Sequence, residues 1–148
     1  MCWKTPVNAI ACRDRLQEKR TLPVPIRIAA TLLLVREAPG LEVLMVQRHH
    51  QIDFAPGALV FPGGKVDARD ADPGWADRAA GWHDVPEIER APRVAVIREA
   101  FEETGLLPCM TNRTGESIGT LADRKAVESG DLAFLDFATR ENLLFDLS

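Results

Sequence analysis

The sequence predicts an α/β domain, on three observations. Two runs rich in Ile, Leu, Val and Thr, at residues 26–36 and 41–47, read as strands. A third short apolar run at 58–61 leads into Gly63-Gly64. From Pro92 to Gly105 the period changes: at 100° per residue, Val94, Ile97 and Phe101 fall on one stripe of a helix. A chain of 148 residues suits one domain with a real core. The balance of 46% apolar to 27% charged residues is that of a soluble globular protein.

In chain order, residues 1–25 read as a peripheral arm, highly charged from Arg13 to Arg20 and punctuated by Pro23 and Pro25. Ala38-Pro39-Gly40 is the turn that pairs the first two strands as a hairpin. Arg48 closes the second strand, and His49, His50 and Gln51 open a polar loop running to Pro56-Gly57. Pro92 suits the first helical position and Gly105 the left-handed position past the end. Beyond Pro108, residues 117–121 read as a short strand, and 123–129 and 131–142 as helices separated by Gly130. Leu132, Phe134, Leu135 and Phe137 give the second of these its apolar side, and 143–147 is an apolar tail.

Several function classes drop out. A net charge of −4 leaves no basic excess for a nucleic-acid surface. No apolar run reaches the roughly 18 residues of a membrane span. Cys2, Cys12 and Cys109 are odd in number and lack metal-ligand spacing, so they read as free thiols of a reducing compartment. The N-terminus has no signal-peptide core, and the expectation is a cytoplasmic protein.

The chemistry concentrates in Arg98-Glu99-Ala100-Phe101-Glu102-Glu103-Thr104-Gly105-Leu106. Glu99, Glu102 and Glu103 are related by i, i+3 and i, i+4 steps and share the side of the helix opposite the apolar stripe. Acidic runs are usually solvated faces. Here Arg98 is the only nearby base, and each like-charge pair at i, i+4 costs about 0.2–0.5 kcal/mol. A hard divalent cation removes that repulsion, and Mg²⁺ takes one or two carboxylates plus water and phosphate oxygens. Upstream, Gly63-Gly64 lets a backbone approach a ligand without Cβ obstruction.

Joined, these two stretches resemble the signature of the Nudix hydrolases, G-x5-E-x7-R-E-U-x-E-E-x-G-U. Arg98, Glu99, Ala100, Glu102, Glu103, Gly105 and Leu106 fill its second half. Asp70 stands where its first Glu is expected, and 27 residues instead of seven separate Asp70 from Arg98. An insertion at about 71–91 follows, containing Pro73-Gly74, Trp75 and Trp82; it reads as a surface excursion with a short helix. Arg48, Phe54, Pro56-Gly57 and Val60-Phe61-Pro62-Gly63-Gly64, with Asp67, resemble the coenzyme A and acyl-coenzyme A diphosphatase branch.

The resemblance implies an α/β/α sandwich around a mixed sheet over 26–148, lacking the C-terminal strands of relatives; a homodimer covering the exposed sheet edge, a different local fold and a shortened form are the readings that follow. It implies Mg²⁺ or Mn²⁺ held by Glu99, Glu103, Glu102 and the Gly64 carbonyl. Arg98 orients a Glu, and Glu102 is a further ligand or the general base. Arg48, Phe61 and Gly63 meet a nucleotide-type substrate. The implied reaction splits coenzyme A or acyl-coenzyme A into adenosine 3′,5′-bisphosphate and (acyl-)phosphopantetheine. Two other readings stay open: a Nudix hydrolase of ADP-ribose or a dinucleotide, and a nucleotide-binding domain without turnover. For single residues, Arg48 reads equally as a strand-end charge, Phe61 alternatively as a core plug, and the two tryptophans as pins for the insertion in preference to stacking on substrate.

Overall fold

Three extended runs form the sheet region, each kinked into two short strands that pair with different neighbours. β1 (Ala29–Thr31) and β2 (Val35–Glu37) come from the first run, β3 (Leu41–Val43) and β4 (Val46–Gln47) from the second, β5 (Leu59–Val60) and β6 (Gly63–Lys65) from the third. The pairs β1–β6, β2–β3 and β4–β5 are all antiparallel. Backbone bonds continue the ladders past the strand ends, from Val66 N–H to the Ile28 carbonyl (3.0 Å) and from Arg48 N–H to the Ala58 carbonyl (2.9 Å). The expected hairpin is therefore present. The structure, a computed structural model, describes residues 26–37, 39–48, 57–111 and 118–148. The arm expected at 1–25 and the loop of His49, His50 and Phe54 lie outside the described residues.

The acidic segment is the last turn and a half of α1 (Glu87–Thr104). Its apolar stripe is as the sequence predicts: Val94, Ile97 and Phe101 are buried. Gly105 ends it at φ 77°, its N–H returning to the Phe101 carbonyl at 2.8 Å. The start differs from expectation. Pro86 is the N-cap, and Pro92 lies inside the helix. A proline there forfeits the bond to the carbonyl four residues back. That carbonyl belongs to Ile88, on a turn whose side chain is 78% exposed, so water can serve it. Glu87 and Glu89 in the first turn face the positive end of the helix dipole.

The insertion is not a surface excursion. It folds as two 3₁₀ turns, Ala68–Ala71 and Pro73–Asp77, followed by β7 (Ala79–Ala80). Trp75, Ala79, Trp82 and Val85 are all buried, so this segment builds core. Its partner is the C-terminal region: α2 (Leu121–Ser129), α3 (Phe134–Arg140) and β8 (Phe145–Asp146). β8 pairs in parallel with β7, with Ala79 opposite Phe145, so the strand pairings are mixed. Trp75, Phe101, Phe134, Phe137 and Phe145 form one aromatic cluster, with Phe101 and Phe137 stacked at 4.7 Å. Aromatic burial on this scale dominates a small core. The tryptophans are thus pins, as the sequence favours. The second C-terminal helix is shorter than 131–142, and the described part of the strand expected at 117–121 is no strand: residues 118–120 lead into the cap of α2 and Leu121 opens that helix. On and between the strands, Leu33, Val35, Leu41, Val43, Met45 and Leu59 stay exposed.

The cap of α2 makes a pH-dependent prediction. Thr120 Oγ1 accepts from Asp123 N–H (3.1 Å), and the Asp123 carboxylate accepts from Thr120 N–H (2.8 Å). The Thr120 hydroxyl bond and the Arg140 guanidinium pull the Asp123 carboxyl down to about 2. A lowered folded pKa stabilises above the ordinary 3.8 and loses that effect as pH falls through about 2. Thr120→Ala should therefore lower Tm by about 2–8 °C at pH 6, as the loss of a capping side chain does. Thermal melts at pH 2 and pH 6 check this, and a deficit that persists undiminished at pH 2 would remove the carboxylate from the explanation.

Candidate active site

β6 places its two glycines between β1 and α1, and each is required by a different neighbour. A Cβ on Gly63, at φ 152°, would stand 2.3 Å from the Ala30 carbonyl oxygen. A Cβ on Gly64 would stand 2.4 Å from the carboxylate atoms of Glu99. The missing side chain of Gly64 is therefore the space the Glu99 carboxylate occupies. Gly63 N–H donates to Glu103 Oε2 at 3.1 Å. One glycine pair thus sets two of the three carboxylates.

The third is set by Arg98. Its side chain is 13% exposed, and its donors are spent on four residues. Nε and Nη2 hold both oxygens of Asp70 at 2.9 Å, a bidentate pair. Nη1 reaches Glu99 Oε1 at 3.1 Å and both oxygens of Glu102 at 3.0 and 3.1 Å. Nη2 also donates to the Lys65 carbonyl at 2.9 Å. Asp70 is 2% exposed and accepts a further bond from Asp67 N–H, so it closes the first 3₁₀ turn and anchors Arg98 together. The residue aligned with the signature's first Glu meets the acidic helix despite the long gap, because the insertion leaves and returns on the core side.

Burial works against the Arg98 charge, but Asp70 and Glu102 outweigh it and push the guanidinium pKa up. Burial raises the Glu102 carboxyl against the opposing pull of Arg98. Burial also raises Glu103; the Gly63 N–H opposes this, and the neighbouring Glu99 charge adds to it. Glu99 and Glu103 are therefore like charges in close company, the situation a cation relieves. Among the described residues no set of three His, Cys, Asp or Glu side chains converges closely enough to hold a metal by itself. Two carboxylates with phosphate and water completing the shell is nonetheless the ordinary Mg²⁺ arrangement, and this donor set fits it.

The carboxylates open onto a cavity of about 560 Å³ bordered by Arg48, Glu99, Glu102, Glu103, Arg124 and Glu128. A second hollow of about 400 Å³ adjoins it at Arg48 and Glu103, walled by Met45, Leu59, Val60 and Phe61. Phe61 is 40% exposed and so is no core plug. Arg48, Phe61, Gly63, Glu99, Glu102 and Glu103 thus border adjoining hollows, and Gly64 backs onto Glu99. Sequence reasoning missed Arg124 and Glu128, which stand on α2 outside any motif.

The family model described as the NUDIX domain matches residues 25–131. The human protein "Acyl-coenzyme A diphosphatase NUDT19" is 34% identical over 104 residues, 70% of this chain and 25% of that protein. "Putative nudix hydrolase 7" of Caenorhabditis elegans is 37% identical over 81 residues, 55% of this chain and 22% of that protein. The chain thus spans about a quarter of the length of the curated relatives it matches. Among solved structures, a NUDIX hydrolase from Alicyclobacillus acidocaldarius matches with TM-score 0.67 at 30% identity, covering 85% of this chain and 59% of that one. No described helix is long and apolar enough to cross a membrane. A family model that spans both the glycine strand and the acidic helix, and a solved NUDIX hydrolase alike over 85% of the chain, make this chain a member of the Nudix family.

Proposed function

We propose that the chain hydrolyses the diphosphate bond of a nucleoside diphosphate linked to another moiety, with coenzyme A or acyl-coenzyme A as substrate and Mg²⁺ or Mn²⁺ as cofactor. The observation that carries this is the Gly64 gap: the strand leaves out a side chain where Glu99 needs room beside Glu103. Glu99, Glu103 and the Gly64 carbonyl would hold the metal. When bound, it neutralises diphosphate charge and lowers the pKa of a water. Glu102, both of whose oxygens accept from Arg98, is better held than a ligand needs to be, and we assign it the proton of the attacking water. Burial raises its pKa, which favours that role. Arg48 meets the phosphates, and Gly63, which borders the second hollow, meets the substrate there. The Met45, Leu59, Val60 and Phe61 side chains on the wall of the second hollow suit an acyl-pantetheine arm better than the second ribose of ADP-ribose.

Purified protein with coenzyme A, an acyl-coenzyme A or ADP-ribose, and Mg²⁺ or Mn²⁺, tests this by chromatography of products. Release of adenosine 3′,5′-bisphosphate supports the proposal. Equal or better turnover of ADP-ribose sinks the coenzyme A assignment, and binding of all three without hydrolysis favours a non-catalytic domain.

The two glycines should separate activity from folding. In Gly64→Ala the clash falls on the far end of a flexible Glu99 side chain, so the protein stays folded and turnover drops about 10–100-fold, as when a ligand loses its orientation. In Gly63→Ala the clash falls on Ala30 backbone, so Tm falls as well. Paired melts and rates check this; equal Tm losses would refute the distinction.

A further inference from the structure

We infer that Arg124, on α2, is a positioning residue for the carboxylates of the acidic helix. The inference rests on the metal-dependent reading above and assigns a residue outside the signature to it. The last turn of α1 carries both Glu102 and Glu103, yet a helix end leaves its final carbonyls without intrahelical partners. Arg124 supplies them: Nε donates to the Glu102 carbonyl at 2.5 Å and Nη2 to the Glu103 carbonyl at 2.6 Å. The planar guanidinium spans two successive carbonyls, which a lysine ammonium cannot do with the same rigidity.

The placement has two consequences. The backbone of the two glutamates is clamped at the point where helices fray, so their side chains start from a defined origin. A full positive charge also sits at the negative end of the α1 dipole, beside a cluster of like charges. The recorded Arg124 bonds go to backbone carbonyls and not to Glu99, Glu102 or Glu103 carboxylates, so the clamp leaves those oxygens available to a cation. Arg124 also borders the 560 Å³ cavity together with Arg48. The α2 helix that presents it is itself tied down, by the Thr120 cap and by Arg140 Nη2 on Asp123 Oδ1 at 2.7 Å. The C-terminal helices thereby set the geometry of a site whose signature ends before them.

Two roles for Arg124 predict opposite signs, which makes the test decisive. Removing a mere counter-charge would tighten the binding of a divalent cation. Removing a clamp would loosen it. Mn²⁺ binding to the substrate-free protein, read by electron paramagnetic resonance, should weaken about tenfold in Arg124→Ala, with a smaller loss in Arg124→Lys. Amide exchange at residues 102–106 of the metal-free protein should speed up in Arg124→Ala. Arg140→Ala is the control, because it removes the tie on Asp123, the residue beside Arg124 in α2, without touching the Glu102 and Glu103 carbonyls: it should lower Tm but leave Mn²⁺ affinity and exchange at 102–106 unchanged. Tighter or unchanged Mn²⁺ binding in Arg124→Ala, or equal effects from Arg140→Ala, would overturn the inference. Should Arg124→Ala not fold, Arg124→Lys against Arg140→Ala gives the same comparison. A wild type that binds no Mn²⁺ would defeat the metal reading instead, and the exchange experiment would still decide whether the clamp exists.

Discussion

Glu103→Gln should abolish most turnover while making the metal-free protein more stable at neutral pH. A metal-bound transition state is stabilised by several kcal/mol, and each 1.36 kcal/mol is a factor of ten, so loss of a carboxylate ligand should cost at least about 10²-fold in kcat. The fold should survive, because Gln keeps an oxygen to accept from Gly63 N–H. The stability gain follows from the direction of the pKa shift. Burial and the Glu99 charge raise the folded carboxyl above its ordinary 4.5. A raised folded pKa means the folded state binds the proton more tightly. That contribution is complete below 4.5 and is lost as pH rises through the folded value. Above that window the ionised Glu103 is a burden that Gln removes. Melts of both proteins without metal should show Gln ahead at pH 7.5 and level at pH 4. Full turnover in Glu103→Gln would remove Glu103 from the metal site, and a lower Tm at pH 7.5 would contradict the like-charge account.

Arg98→Ala should be the most damaging substitution for folding. It leaves Asp70, 2% exposed, as a buried carboxylate with only Asp67 N–H on it, and frees Glu102 from both of its Arg98 bonds. Removing one member of a buried pair typically costs about 3–5 kcal/mol, a large share of the roughly 5–15 kcal/mol a domain has. Urea midpoints should fall accordingly. The paired substitution Arg98→Met with Asp70→Leu separates two functions of the same network. Replacing both members with apolar groups is often neutral, so the double variant should recover much of the stability. It should not recover turnover, because Glu102 then loses both of its Arg98 bonds and Glu99 loses one. Recovery of both would mean that the network serves stability alone; recovery of neither would mean that the buried cavity cannot accept the apolar pair.

What could be read from the sequence, and what could not, divides by the range of the interactions. The apolar stripe of Val94, Ile97 and Phe101, the three glutamates opposite it, the Gly105 stop and the hairpin at Pro39-Gly40 are local, and each was legible. So was the α/β class, since periodicity and turn residues carry it. Pro92 misled because proline is favoured at a helix start, while the true start at Glu87 depends on Pro86 and an acidic first turn. The insertion misled because its charges and Pro73-Gly74 read as surface. Only the tertiary structure shows Trp75 packed against Phe134 and Phe145 from the far end of the chain, with Trp82 and Val85 in the same core. The same holds for β7 against β8, for Asp70 reaching Arg98 across the insertion, and for Arg124 on the end of the acidic helix. The sequence by itself determined the chemistry available: three carboxylates on one helix face and a strand bare of side chains. The tertiary structure decided where that chemistry points, because orientation is set by bonds between residues that no local pattern places side by side.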